Sequence, residues 1–360
     1  MPLPLLRVIL ETREELWHRY PTLGRNLKSL LRFHPHESSP NILGAKEPSS
    51  QGRDCQAHEL LKDVDLFVAT GAQYMSDACR DDALHVLDRI ELAHLRGIPT
   101  AMVGQGLGPF EDRELRERAS AVLPLVDLIF IRDQVSAPPL LNSLGVDPSH
   151  VIFTGDDAVE LAYRGRTNKL GTRMGISLRT AHYTQVNKLQ VEPLRSVLCQ
   201  AAVKYNTRLQ TIPISHSIHE QDDQTLRQFL KGVNRVSFER WRFDPPGEVI
   251  KRVGACRIVV TGAFHPAVFA LSQGIPAIGI AKSEMYFDKF ASLTDQFGEA
   301  CQIIVLDDAD LQPKLSKAID TAWNLAEHCK PELLQAAERQ IALGQAAYER
   351  LYDLVESKKR

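Results

Sequence analysis

The chain has 360 residues, enough for two domains of ordinary size and too many for one small module. Apolar residues make up 44% and charged residues 24%, the proportions of a folded water-soluble chain, which excludes disordered, collagen-like and disulfide-scaffold proteins. Lys plus Arg total 43 against 45 Asp plus Glu, and the resulting net charge of −2 carries no signature of a nucleic-acid or anionic-membrane partner.

The opening MPLPLLRVIL contains one arginine and no small-residue cleavage site, so a signal peptide is not expected. No apolar run approaches the roughly 20 residues that span a bilayer, which predicts a soluble, cytoplasmic chain. Residues Leu6 to Leu10 make only a weak strand, and Thr12 to Leu31 reads as a helix. The first domain therefore begins untidily, with its opening strand and loop atypical or missing.

From residue 60 the pattern becomes regular. Short Val- and Ile-rich runs alternate with helical periodicity, as buried parallel strands joined by crossover helices require. Strands are predicted at Asp65–Thr70, Thr100–Val103, Leu128–Ile131 and Val151–Phe153, with helices at Ala83–Leu95, Asp112–Leu123 and Val135–Leu144. The polar stretch 166–173, which sits inside RGRTNKLGTR, breaks the rhythm and reads as a linker between domains 1–165 and 174–310.

Beyond it, strands are expected at Met174–Leu178, Leu209–Ile212, Arg235–Phe238, Arg257–Val260, Ala277–Ile280 and Gln302–Val305. Helices fall between them, and residues 311–360 form two more, Leu311–His328 and Pro331–Ser357, one of which could pack back on the first domain. The fold class is α/β, with two Rossmann-like, doubly wound domains and C-terminal helices. The six cysteines, Cys55, Cys79, Cys199, Cys256, Cys301 and Cys329, include no CxxC pair, so reduced thiols are expected and no zinc site is legible.

Ligands of open parallel sheets bind beyond the carboxyl ends of the strands. In chain order those positions hold Gly71 and Gln73, then Gly104, Gln105 and Gly106, then Arg132 and Asp133, Arg179, His216, and finally His265. Glycines let a backbone come close to a ligand, and an arginine can clamp a carboxylate or phosphate. The segment IVVTGAFHPAVFALSQGIPAIGI is the most informative. Pro266 suits a first helical position, which puts His265 at or just before the N-cap, where unpaired N–H groups attract an anion and an imidazole is placed to exchange a proton near neutrality. A capping histidine without chemistry is the plain alternative. Asp156-Asp157 reads as a loop cap, and no metal or cofactor is required by the sequence.

Taken in order, GQGLGPF, IRDQVS, TGDDAVEL, ISLR, FHPAVFALSQGIPAIGI and YFDK resemble the polysaccharide pyruvyl transferase family. The resemblance implies a GT-B-like pair of Rossmann-like domains and a transferase that moves a pyruvyl group from phosphoenolpyruvate onto hydroxyls of a glycan or glycan precursor, in exopolysaccharide or other cell-surface glycan synthesis. It implies that His265 is the acid/base and that Arg132 binds the anionic donor. It also places Gly71, Gln73, Asp77, Gly104, Gln105, Gly106, Asp133 and Lys289 in the substrate-binding set, to which the physical reading adds Arg179 and His216.

The match departs in having Ala263 where the family usually carries an arginine before the histidine, with Arg179 as a candidate replacement cation. Two other readings remain open: a GT-B glycosyltransferase using a nucleotide sugar, and a non-catalytic family member that binds a glycan or a partner.

Overall fold

The computed structural model describes residues 8–11, 61, 64–71, 73–215, 222–238 and 245–358. Two compact units divide the chain. The first takes Met1–Arg132, Ala137–Thr154 and Gln345–Arg360, and the second takes Asp133–Ser136 and Gly155–Gly344.

The first unit is built on five parallel strands in sequential order: β1 (Val8–Glu11), β2 (Leu66–Ala69), β3 (Thr100–Gln105), β4 (Leu128–Ile131) and β5 (Val151–Phe153). The weak opening strand expected at Leu6–Leu10, in a region read as atypical or missing, is present at Val8–Glu11, with Val8 opposite Leu66 and Glu11 opposite Ala69. Its VILE sequence has the apolar, β-branched character that parallel pairing favours. The residues that follow it, 12–60, lie outside the described ones.

Strand alternation sends side chains to two different cores. Phe67 and Ala69 join Ala83, Leu87 and Ile90 of α1 (Arg80–Leu95) and Leu115 and Ala119 of α2 (Arg113–Val122). Leu66, Val68, Ala101, Val103, Leu128 and Phe130 face the opposite way and are covered by Ala347, Leu351 and Val355 from the end of the chain. Helix α2 starts where the Asp112 carboxylate accepts the Leu115 N–H at 2.8 Å. A short α3 (Ala137–Ser143) follows β4.

The second unit holds six parallel strands: β6 (Arg173–Ser177), β7 (Leu209–Thr211), β8 (Val236–Ser237), β9 (Cys256–Thr261), β10 (Ala277–Ala281) and β11 (Cys301–Val305). Their order is β11-β10-β9-β6-β7-β8, so the winding reverses between β6 and β9. That is the Rossmann order, and the reversal opens a crevice at the carboxyl ends of those two strands. The connecting helices are α4 (Ala158–Arg164), α5 (Lys188–Lys204), α6 (Asp222–Phe229), α7 (Pro246–Gly254), α8 (Phe264–Ser272) and α9 (Glu284–Phe297). Helix α5 opens on a capping box between Asn187 and Gln190, and buries Val191, Leu194, Val197, Leu198, Ala201 and Ala202 along one stripe.

The stretch 166–173 belongs to the second unit, not to a free linker. Lys330 donates to the carbonyls of Thr167 and Asn168, the N–H groups of Thr172 and Arg173 both reach the Ala255 carbonyl at 3.2 Å, and Thr207 donates to Thr172. The division of the chain falls earlier, between Thr154 and Gly155, where Gly155 has φ +75°.

The C-terminal region is one helix, α10 (Leu311–Lys358), where two were expected. Pro331 removes one N–H from the ladder without ending it. Leu311, Leu315, Ala318, Ile319 and Ala322 pack in the second core, while the last turns complete the first. Among the described residues no helix is long and apolar enough to cross a membrane. Cys256 and Cys301 are buried free thiols, and burial pushes both up to about 12.

The packing of α10 on the first sheet is testable. Leu351 is 3% exposed, and Leu351→Ala should lower stability in chemical denaturation by about 2–5 kcal/mol. The exposed neighbour Glu349, changed to Ala, should cost less than about 0.5 kcal/mol.

Candidate functional site

In the first unit, the exits of β2, β3 and β4 bring most of the expected residues together. Gly71 and Gly104 stand so close that a Cβ on Gly71 would lie 2.5 Å from the Gly104 carbonyl carbon. Gly104 itself has φ +61° and sits where the β3–β4 register slips between Met102 and Gln105. The bulge needs a residue free to enter the left-handed region. Both glycines thus answer to the backbone before any ligand.

Gln105 is wholly buried, and its amide nitrogen donates to the carbonyls of Ala69 at 3.0 Å and Val103 at 3.2 Å. It stitches β2 to β3. Tyr74, beside it, is buried as well, and burial holds its phenol well above the ordinary value. Asp77 likewise belongs to the frame, since its two carboxylate oxygens accept the N–H groups of Glu111 at 2.7 Å and Asp112 at 3.1 Å. With the Gly108 N–H on the Met75 carbonyl at 2.7 Å, these bonds lace the two exit loops together.

What the lacing presents is Arg132. Its backbone N–H reaches the Gln105 carbonyl at 3.1 Å, and its Nη2 donates to Gln73 Oε1 at 2.7 Å. A Cβ at Gly106 would lie 2.5 Å from Arg132 Nη2 and 2.7 Å from its Nε, so a side chain there would have to push the guanidinium aside. Asp133, the next residue, spends Oδ1 on the Ser136 N–H at 2.8 Å and hydroxyl at 2.9 Å, fixing a turn.

In the second unit, the winding reversal is flanked by Arg179, after β6, and His265, after β9. Arg179 is buried and bound edge-on by Asp222, with Nε to Oδ1 at 3.1 Å and Nη2 to Oδ2 at 2.7 Å. The same Oδ2 accepts the N–H groups of Ile214 at 3.0 Å and Ser215 at 2.9 Å, while Arg179 Nη1 donates to the Tyr183 hydroxyl at 3.2 Å. Burial alone would lower the guanidinium's affinity for its proton, and the Asp222 carboxylate more than reverses this, leaving it well above the ordinary value. The fork expected to replace the family arginine is thus engaged by a carboxylate.

Helix α8 begins two residues earlier than the sequence suggested. Ala263 is its N-cap, and Thr261 Oγ1 both accepts the Ala263 N–H at 2.9 Å and donates to the Ala263 carbonyl at 2.7 Å. His265 therefore stands inside the first turn, followed by Pro266, a residue the first turn tolerates because its N–H would have no intrahelical partner. Every residue of α8 is buried except His265. Its ring lies edge-on to Phe264 at 5.7 Å and tilted to Phe269 at 6.0 Å.

Lys289 lies on α9 with its ammonium 4.7 Å from the centre of the Tyr286 ring, which stacks on Tyr183 at 6.2 Å. Tyr183 and Tyr286 thereby link Lys289 to Arg179. Neither tyrosine nor Asp222 was singled out in the sequence, where Asp222 reads only as an ordinary acidic helix start. His216 lies outside the described residues. Asp156 accepts the Ala158 N–H at 2.9 Å, in the expected capping role. Among the described residues no cluster of three His, Cys, Asp or Glu side chains could hold a metal.

Residues 9–284 match the family model described as polysaccharide pyruvyl transferase. No curated protein sequence matches the chain. Among solved structures, a putative UDP-N-acetylglucosamine 2-epimerase from Listeria monocytogenes is similar over 96% of this chain and 98% of its own, at 12% identity and a TM-score of 0.63. UDP-GlcNAc 2-epimerase from Neisseria meningitidis, bound to UDP-GlcNAc, matches 98% of this chain and 100% of its own at 12% identity and TM-score 0.59. UGT73P12 from Glycyrrhiza uralensis matches 98% and 89% at 13% identity and TM-score 0.51. At such identities the likeness shows the fold, a GT-B-like α/β class.

The Arg179–Asp222 pair makes a prediction about stability. Asp222→Ala strands a buried guanidinium and two N–H groups, and should cost about 3–5 kcal/mol in chemical denaturation. Replacing both partners, Arg179→Met with Asp222→Leu, should recover only the part due to the stranded guanidinium, because the Ile214 and Ser215 N–H groups stay without their acceptor.

Proposed function

Since the chain belongs to the polysaccharide pyruvyl transferase family, we propose that it transfers the pyruvyl group of phosphoenolpyruvate to hydroxyls of a glycan or glycan precursor, forming a ketal. The observation that carries this reading is His265, the one side chain of α8 that is not buried, held in the first turn of an otherwise apolar helix. The partly exposed imidazole, packed against Phe264 and Phe269, is the ionisable group of that turn. In the proposed reaction it acts as the acid/base.

Protonated His265 gives its proton to the terminal carbon of the enol, which leaves C2 electrophilic. One sugar hydroxyl adds to C2 and returns a proton to the imidazole. A second hydroxyl then displaces phosphate from C2, its proton leaving with the phosphate, and closes the ketal, so two hydroxyls and one phosphoenolpyruvate give the ketal and hydrogen phosphate. The first-turn N–H groups of α8, whose positive dipole end favours anions, support charge that develops on the donor. Arg132 is assigned to the donor's carboxylate or phosphate. The interactions of Arg179 with Asp222 and Tyr183 support a framing role for it beside the winding reversal.

The test is direct. Protein incubated with phosphoenolpyruvate and a panel of glycosides should release inorganic phosphate and leave an acid-labile ketal detectable by mass spectrometry. His265→Ala should reduce turnover by at least about 100-fold while donor affinity stays within a few fold. A thermal shift with UDP or GDP derivatives and none with phosphoenolpyruvate would instead assign the chain to nucleotide-sugar chemistry. Turnover unaffected by His265→Ala would remove the imidazole from the reaction.

A further inference from the structure

The amide of Gln73 is fixed at both ends. Its nitrogen donates to the Gly108 carbonyl at 3.0 Å, so its oxygen is turned to the Arg132 guanidinium and accepts from Nη2 at 2.7 Å. The anchor is itself held, because Gly108 donates to the Met75 carbonyl at 2.7 Å and Ser76 Oγ donates to the Gln73 carbonyl at 2.9 Å. Gly106 clears the space beneath, where a Cβ would meet both Gln73 Oε1 and the guanidinium.

A guanidinium is planar and its five N–H groups form a rigid fork, so fixing one of them constrains the direction of the rest. A carboxylate in place of the amide would bind the fork more strongly and add a negative charge beside it. Glutamine orients without adding charge. We propose that Gln73 is a positioning residue that sets the plane of the Arg132 guanidinium for an oxyanion of the ligand, a carboxylate or a phosphate. This rests on the reading in which Arg132 meets the anionic donor.

The experiment is a set of calorimetric titrations of the full chain with phosphoenolpyruvate and, separately, with inorganic phosphate. Gln73→Ala should weaken phosphoenolpyruvate binding about tenfold, the scale of one hydrogen bond to a charged group, and Gln73→Glu should weaken it further. In turnover the loss for Gln73→Ala should fall mainly on the donor KM and less on kcat, because it lies in holding the donor. In an Arg132→Lys background, where there is no plane to set, Gln73→Ala should change affinity less than about twofold.

Unchanged or tighter binding by Gln73→Ala would overturn the proposal, and so would an equal loss in the Arg132→Lys background. If the natural chain binds no phosphoenolpyruvate, the functional reading falls. The same series read with inorganic phosphate then decides the role of Gln73, and binding of neither anion overturns both.

Discussion

Parallel pairing is the constraint from which the rest of this molecule follows. A parallel strand cannot be reached by a tight turn, so each successive strand costs a crossover, and each crossover leaves the sheet at the same edge. In the first unit this gathers the exits of β2, β3 and β4, and in the second those of β6 and β9 at the reversal of winding. The polar residues at those exits were never chosen by proximity in sequence. Arg132 lies 59 residues from Gln73, and Asp222 lies 43 from Arg179, yet both pairs share hydrogen bonds.

The two arginines are held by opposite means. Asp222 accepts four hydrogen bonds at one carboxylate, which concentrates charge compensation inside the second unit. Gln73 contributes an amide, which supplies direction alone. A buried ion pair can cost more in lost hydration than its attraction returns, so its value here is in tying the end of β6 to the start of α6 and to the residues after β7. The glycines tell a related story. Gly71 gives up a side chain where the Gly104 and Val103 backbone comes close.

Much of the frame was legible because apolar runs and crossover helices leave strong periodic signals. The strands at Leu128–Ile131 and Val151–Phe153, and helix Pro246–Gly254, fall where the pattern put them. Less legible were features decided by tertiary contact. The VILE strand is short and stands far from β2 in sequence, so it read only as a weak strand at Leu6–Leu10 and its partner was not legible. Pro331 looked like a stop, but packing on both sides of it carries the helix through. At α8 the cap is a backbone-and-threonine arrangement around Ala263, and alanine carries no capping signal. Of the candidate site, His265 and Arg132 stood out by type and place. The roles of Gln105 and Asp77 as stitches, and the existence of the Asp222 clamp, depend on which carbonyls and N–H groups lie nearby, and no spacing in the chain encodes that.

The first unit is assembled from three separate stretches, and the last of them is the end of α10. Ala347, Leu351 and Val355 cover a sheet face whose own residues, from Leu66 to Phe130, are made more than two hundred residues earlier. The residues of α10 that pack on that face are thus made only after the whole of the second unit's sequence. The unit that begins first receives its last packing residues, Ala347, Leu351 and Val355, at the end of synthesis.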